Sequence, residues 1–195
     1  MTRFPTEPPM VPEAPPTVGA PVIQRQSAWP TVVGVIAIVW AILSYLGACF
    51  NLVMPWFLPV YHELVSRSMP PSEIRVLEAT VPPAEWAIIT GLVALILATL
   101  LTVGAVRLLK RRQSGATLCN LWAAVSVFWV FAGLAINSLL MISRGGEELL
   151  NSPMIIGAIL GACVGLGIGC ALPVFMLIWF SRLAIREEVA EWRIQ

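Results

Sequence analysis

Four stretches of this chain, 32–54, 87–109, 116–142 and 154–180, are apolar for the length of a membrane-crossing helix, and only Arg107, near the end of the second, brings a charge into them. A helix rises about 1.5 Å per residue and the hydrocarbon core of a bilayer is about 30 Å thick, so each stretch can cross it. Backbone amides cannot stay unpaired in hydrocarbon, and such stretches therefore take helical form. At 58% hydrophobic and 12% charged residues, with a mean hydropathy of +0.84, the composition excludes an ordinary soluble domain. The expected fold is an all-α integral membrane protein, with four transmembrane helices in a close-packed bundle over residues 29–181 and outer loops at 55–86 and 143–153.

The flanks differ from this core. Residues 1–28 carry Pro5, Pro8, Pro9, Pro12, Pro15, Pro16 and Pro21, which prevent helix or sheet, and the apolar residues between them are too few for a core. We expect a disordered Pro-rich tail without the compact apolar stretch of a secretory signal peptide. Its spacings Pro5 to Pro8, Pro9 to Pro12 and Pro12 to Pro15 fit the minimal PxxP pattern, which leaves an SH3-like partner open beside a plain solvated tail. In the long outer loop Ser72 is placed to cap a short helix carrying Ile74 and Leu77. At the other end, residues 182–195 place Ile185, Val189 and Trp192 at helical spacing among charged residues. This pattern predicts a short amphipathic helix whose apolar stripe rests on the membrane interface.

Basic residues set the orientation. Arg3, Arg25, Arg107, Lys110, Arg111, Arg112, Arg182, Arg186 and Arg193 fall on one side of the four stretches, against Arg67, Arg75 and Arg144 on the other. Short loops rich in Lys and Arg stay in the cytoplasm, so both termini are expected there. Trp29, Trp122 and Trp179 then mark the inner interface, and Trp56 and Trp86 the outer one. All the basic residues but Lys110 are arginine, the bias of a GC-rich genome, and the expected location is the inner (plasma) membrane of a bacterium.

Small residues run along each stretch at steps of three and four. Gly34, Ala37, Ala41, Ser44, Ala48, Asn51 and Pro55 do so in the first; Ala84, Ala87, Gly91, Ala94, Ala98 and Ala105 in the second, broken by Leu101; Ala116, Cys119, Ala123, Ser126, Gly133 and Asn137 in the third, broken by Val130. Such seams let helix backbones approach closely. The fourth is set apart: Gly157, Gly161, Gly165 and Gly169 recur every four residues, a glycine zipper suited to a right-handed crossing with a second copy or with a helix of its own chain. Asn51 and Asn137, at similar depth on two seams, are expected to form an interhelical polar contact.

No stretch holds Asp, Glu, Lys, Arg or His in its apolar interior, where proton relays and ion-coupled transport usually need such groups. Ser44, Ser126 and Ser138 have no neighbouring base to activate them. Cys49, Cys119, Cys163 and Cys170 form no CxxC pair and read as small packing residues. His62-Glu63 begins a zinc-protease pattern, but Ser66 stands where the second histidine would be. We therefore expect no enzyme, no metal and no cofactor, but an interaction or structural component of the membrane. A pore built on the zipper helix and a binder of lipid or another hydrophobic ligand are the alternatives. The expected partners are membrane lipids, a second copy or another membrane protein, and not nucleic acid.

Overall fold

The computed structural model describes residues 27–66, 70, 74, 81–150 and 154–192. Four long helices carry the apolar stretches: α1 (Trp29–Ser66), α2 (Ala84–Leu109), α3 (Gln113–Leu150) and α4 (Met154–Ser181). A fifth, α5 (Leu183–Glu191), follows after a break at Arg182. All four long helices are long and apolar enough to cross a membrane. The tail ahead of Ser27 and the helix expected behind Ser72 lie outside the described residues, apart from Ile74, whose N–H reaches the Pro70 carbonyl at 3.2 Å.

Two helices run past the ends expected for them. α1 continues through Pro55 and Pro59 to Ser66, and α3 reaches Leu150, so much of the expected outer loops is helical. An apolar run reports where a helix meets lipid, whereas the hydrogen-bond ladder does not stop at that boundary. At 38 residues each, α1 and α3 are roughly 57 Å long, well beyond the thickness of hydrocarbon. Each internal proline removes one amide donor, and the ladder on either side remains.

The seams bury as spaced. Ala37, Ala41 and Ala48 of α1 are at most 1% exposed, as are Ala98, Leu101 and Ala105 of α2 and Cys119 and Ala123 of α3. α1 lies along α2, α2 along α3 and α3 along α4. α1 and α4 share no comparable seam, and they meet through Trp29, whose ring lies 6.4 Å from Trp179 and 6.0 Å from Phe180. The buried core gathers in the half of the helices nearest the arginines, around Leu101, Leu108, Trp122 and Met176. Toward the other end the α1–α2 seam stays buried at Ala48 and Ala87, while α3 and α4 are more open, with nothing within 4 Å of a Cβ at Gly133, Gly161 or Gly165.

The turn from α2 to α3 is tight for a stated reason. Arg111 adopts φ 51°, its N–H reaches Leu108 O at 2.9 Å, and Arg112 N–H reaches Arg107 O at 2.9 Å. These are the two bonds of a Schellman cap, with arginine where glycine is usual. A non-glycine residue here costs about 1–2 kcal/mol. The Arg111 guanidinium offsets part of it by donating to the Ser27 carbonyl at 2.8 Å.

The apolar side of α5 is turned to protein at Val189 and Trp192. Val189 is 9% and Trp192 8% exposed, because both join the core at the arginine-rich end of the bundle. The amphipathic pattern is as the spacing predicts, but its apolar face meets protein. Trp29 and Phe180 present an aromatic surface there, which a sequence period cannot reveal.

Candidate functional site

Where the seams part, a cavity of about 380 Å³ opens between the four long helices. Trp40, Trp122 and Trp129 supply much of its apolar wall, and Ser44, Asn51 and Ser126 its polar side chains. From Trp40 to Asn51 it follows α1 for about 16 Å. No charged residue lines it. Its size falls within the range of small-molecule sites, and an apolar wall with a few polar groups is how such sites are built.

The polar groups offer both acceptors and donors, among them the Ser126 hydroxyl. Ser44 Oγ donates to the Trp40 carbonyl at 2.9 Å, which uses its one donor and leaves oxygen lone pairs. Asn51 Nδ2 donates to the Gly47 carbonyl at 2.9 Å, leaving the amide oxygen and one N–H. The backbone contributes as well. Pro173 lies inside α4 and lacks the N–H that would bond the carbonyl of Gly169, and both residues line the cavity. Pro55 deprives the Asn51 carbonyl of its helix donor in the same way.

A second constellation closes the arginine-rich end. Glu188 of α5 accepts from Ser27 Oγ at 2.6 Å and from Trp29 Nε1 at 2.7 Å. The Trp29 ring stacks on Trp192 with centroids 5.5 Å apart and planes 18° off parallel. Trp179 stacks on Phe175, and the Arg182 guanidinium lies 4.9 Å from the Trp179 ring centre. Chain start, chain end and the α2–α3 turn thus hold one another through Ser27, Glu188 and Arg111.

The residues singled out by spacing have separate fates. A Cβ at Gly157, Gly161 or Gly165 would meet nothing within 4 Å, and one at Gly169 would stand 3.5 Å from Val130. Three of the four glycines therefore make no close approach to another described helix of this chain. Asn51 and Asn137 do not pair. Asn137 Oδ1 accepts from Trp86 Nε1 across α2 and α3 at 2.8 Å, whereas Asn51 bonds within its own helix. The reason is that α2 lies between α1 and α3, which share no seam.

Other glycines carry the close approaches. A Cβ at Gly115 would lie 2.4 Å from the backbone nitrogen of Leu108, and one at Gly91 2.8 Å from Leu52 Cγ. Gly34 faces Leu109 at 2.7 Å and Gly104 faces Cys119 Sγ at 3.0 Å. Gly34 and Gly91 were legible as seam positions, but nothing periodic marks Gly104 or Gly115. Among the described residues no three of His, Cys, Asp and Glu gather in a group able to hold a metal ion.

No protein-family model, curated protein or solved structure matches the chain.

Proposed function

We propose that this chain is a multi-pass protein of the bacterial inner membrane, with both termini in the cytoplasm, and that it serves as a non-enzymatic interaction component assembling through the glycine face of α4. Membrane insertion is supported by the outward side chains: Phe128 is 72% and Ile96 67% exposed, and soluble proteins rarely leave such a continuous apolar surface to water. The observation that carries the assembly role is the open space at Gly157, Gly161 and Gly165. Each glycine costs roughly 1 kcal/mol of helix stability relative to alanine. A second copy, crossing on the same face, supplies the close backbone contact that offsets this cost.

The test is crosslinking of the full chain in native membranes. Gly161→Ile should lower the crosslinked dimer while the monomer keeps its thermal stability, since a side chain there meets nothing within the chain. An unchanged dimer yield would overturn the assembly role, and a destabilised monomer would mean that this face packs within the chain. A pore on the same helix is less well supported. A water-filled path needs a polar stripe, and between Met154 and Ser181 α4 offers glycine, cysteine, proline and apolar side chains.

A further inference from the structure

We propose that the cavity between the four long helices is a binding site for a neutral lipid, one acyl chain carrying an uncharged hydroxyl headgroup of the monoacylglycerol kind. The chemistry of the walls selects this class. No Asp, Glu, Lys, Arg or His lines the cavity, so a charged headgroup would be buried without a counter-ion, at high cost in a medium of low dielectric constant. A purely hydrocarbon occupant is a poorer match. Ser44 Oγ and the carbonyl that Pro173 leaves without its helix donor offer acceptors, while the Ser126 hydroxyl and one Asn51 N–H remain as donors, so the site suits a group that both donates and accepts, as a hydroxyl does. Freed carbonyls in a membrane helix require a partner from a neighbouring group, and a ligand hydroxyl supplies the missing donor.

Access follows from the packing. α1 and α4 share no seam, so the cavity is reached from the bilayer between them, without passage through water. Trp40, Trp122 and Trp129 give rigid apolar walls to an acyl chain, and Gly47 leaves room beside them, since a Cβ there would meet nothing within 4 Å. The site takes Gly169 from the glycine stripe of α4 but none of Gly157, Gly161 and Gly165, and it is present in a single copy of the chain.

The test uses the full chain in phosphatidylcholine nanodiscs holding one copy each, with a diazirine-tagged C16 monoacylglycerol as probe and adducts mapped by mass spectrometry. Adducts should fall on cavity residues such as Trp40, Leu43 and Ile168 and be competed by untagged monoacylglycerol. The methyl ester of the same chain, which has no hydroxyl, should compete roughly five- to tenfold less well, the scale of one hydrogen bond. Gly47→Phe places a ring at the cavity wall, where a Cβ meets nothing within 4 Å, and should abolish these adducts, while Gly157→Phe, outside the cavity, should retain them. Pro173→Ala restores the helix donor to Gly169 and should erase the preference for the hydroxyl over the ester while keeping chain binding.

Adducts confined to outward residues such as Phe128 and Leu139, or equal labelling in Gly47→Phe and the unaltered protein, would reduce the cavity to a crevice in the lipid-facing surface and overturn the proposal. Equal competition by ester and alcohol would overturn the headgroup assignment. Because the discs hold single copies, none of these outcomes bears on assembly through α4.

Discussion

Replacing Trp192 with alanine isolates how the last helix is held. Trp192 is 8% exposed and stacks 5.5 Å from Trp29. An aromatic side chain of this kind buries about 150–250 Å², and at about 25 cal/mol per Å² that is worth roughly 4–6 kcal/mol. Measured Trp→Ala costs in cores are about 3–5 kcal/mol. An undocked indole recovers part of this at the membrane interface, which places the expected loss near the lower bound, about 3 kcal/mol. The carboxylate contact is weaker. Glu188→Gln keeps an acceptor oxygen for Ser27 or Trp29 and should cost about 1–2 kcal/mol.

The two variants can be told apart because α5 has no independent stability. It is nine residues long, and isolated helices shorter than about 12–15 residues are marginal in water. Undocking therefore unfolds it, and amide hydrogen exchange over 183–192 reports docking directly. Trp192→Ala should speed that exchange by more than roughly 100-fold, or to the unprotected limit, and Glu188→Gln by roughly 10-fold. Amides in the middle of α2 should not change in either. If α5 keeps its protection in Trp192→Ala, or if Glu188→Gln has the larger effect, then aromatic burial is not what holds the helix.

Three further outcomes follow from the geometry. Gly115→Ala drives a Cβ into the Leu108 backbone and should cost about 1–3 kcal/mol in thermal unfolding, whereas Gly157→Ala should leave the isolated monomer unchanged or up to about 1 kcal/mol more stable. A double-mutant cycle of Trp86→Phe with Asn137→Leu should show coupling of about 0.6 kcal/mol, while Asn51→Leu and Asn137→Leu should simply add. A cysteine at Ser72 should be labelled by an impermeant reagent from outside the cell and one at Ser114 should not, and the reverse pattern would invert the proposed topology.

What could be read from the residues alone was what depends on a single helix. Length and hydropathy locate α1 to α4 because lipid imposes a simple rule on every residue of a span. The small-residue period locates the buried face of α1 and α2 because a period is a property of one helix. Whatever depends on two helices at once was out of reach. Asn51 and Asn137 lie at matching depth, but depth does not say that α2 stands between them. Gly115 has no periodic neighbour, and its constraint comes from the Leu108 backbone across a turn. Trp29, Glu188 and Trp192 meet from opposite ends of the chain, and neither end announces the other.

The same distinction separates the two sets of glycines. Gly115 is needed by the fold, since a methyl group there would meet the backbone of Arg107 and Leu108, whereas at Gly34, Gly91 and Gly104 it would press on the side chains of Leu109, Leu52 and Cys119. Gly157, Gly161 and Gly165 are not needed in this way, since their surroundings within the chain are empty. Helix propensity alone would favour alanine at these three by roughly 1 kcal/mol each, and the proposed contact with a second copy would offset that cost. The cavity raises the parallel question for Pro173, which deprives a carbonyl of its donor at a position where alanine would restore it. The two places differ in burial, since the three glycines are exposed and the Pro173 side chain is fully buried, so only at the cavity does a single copy of the chain itself enclose the position where local stability is given up.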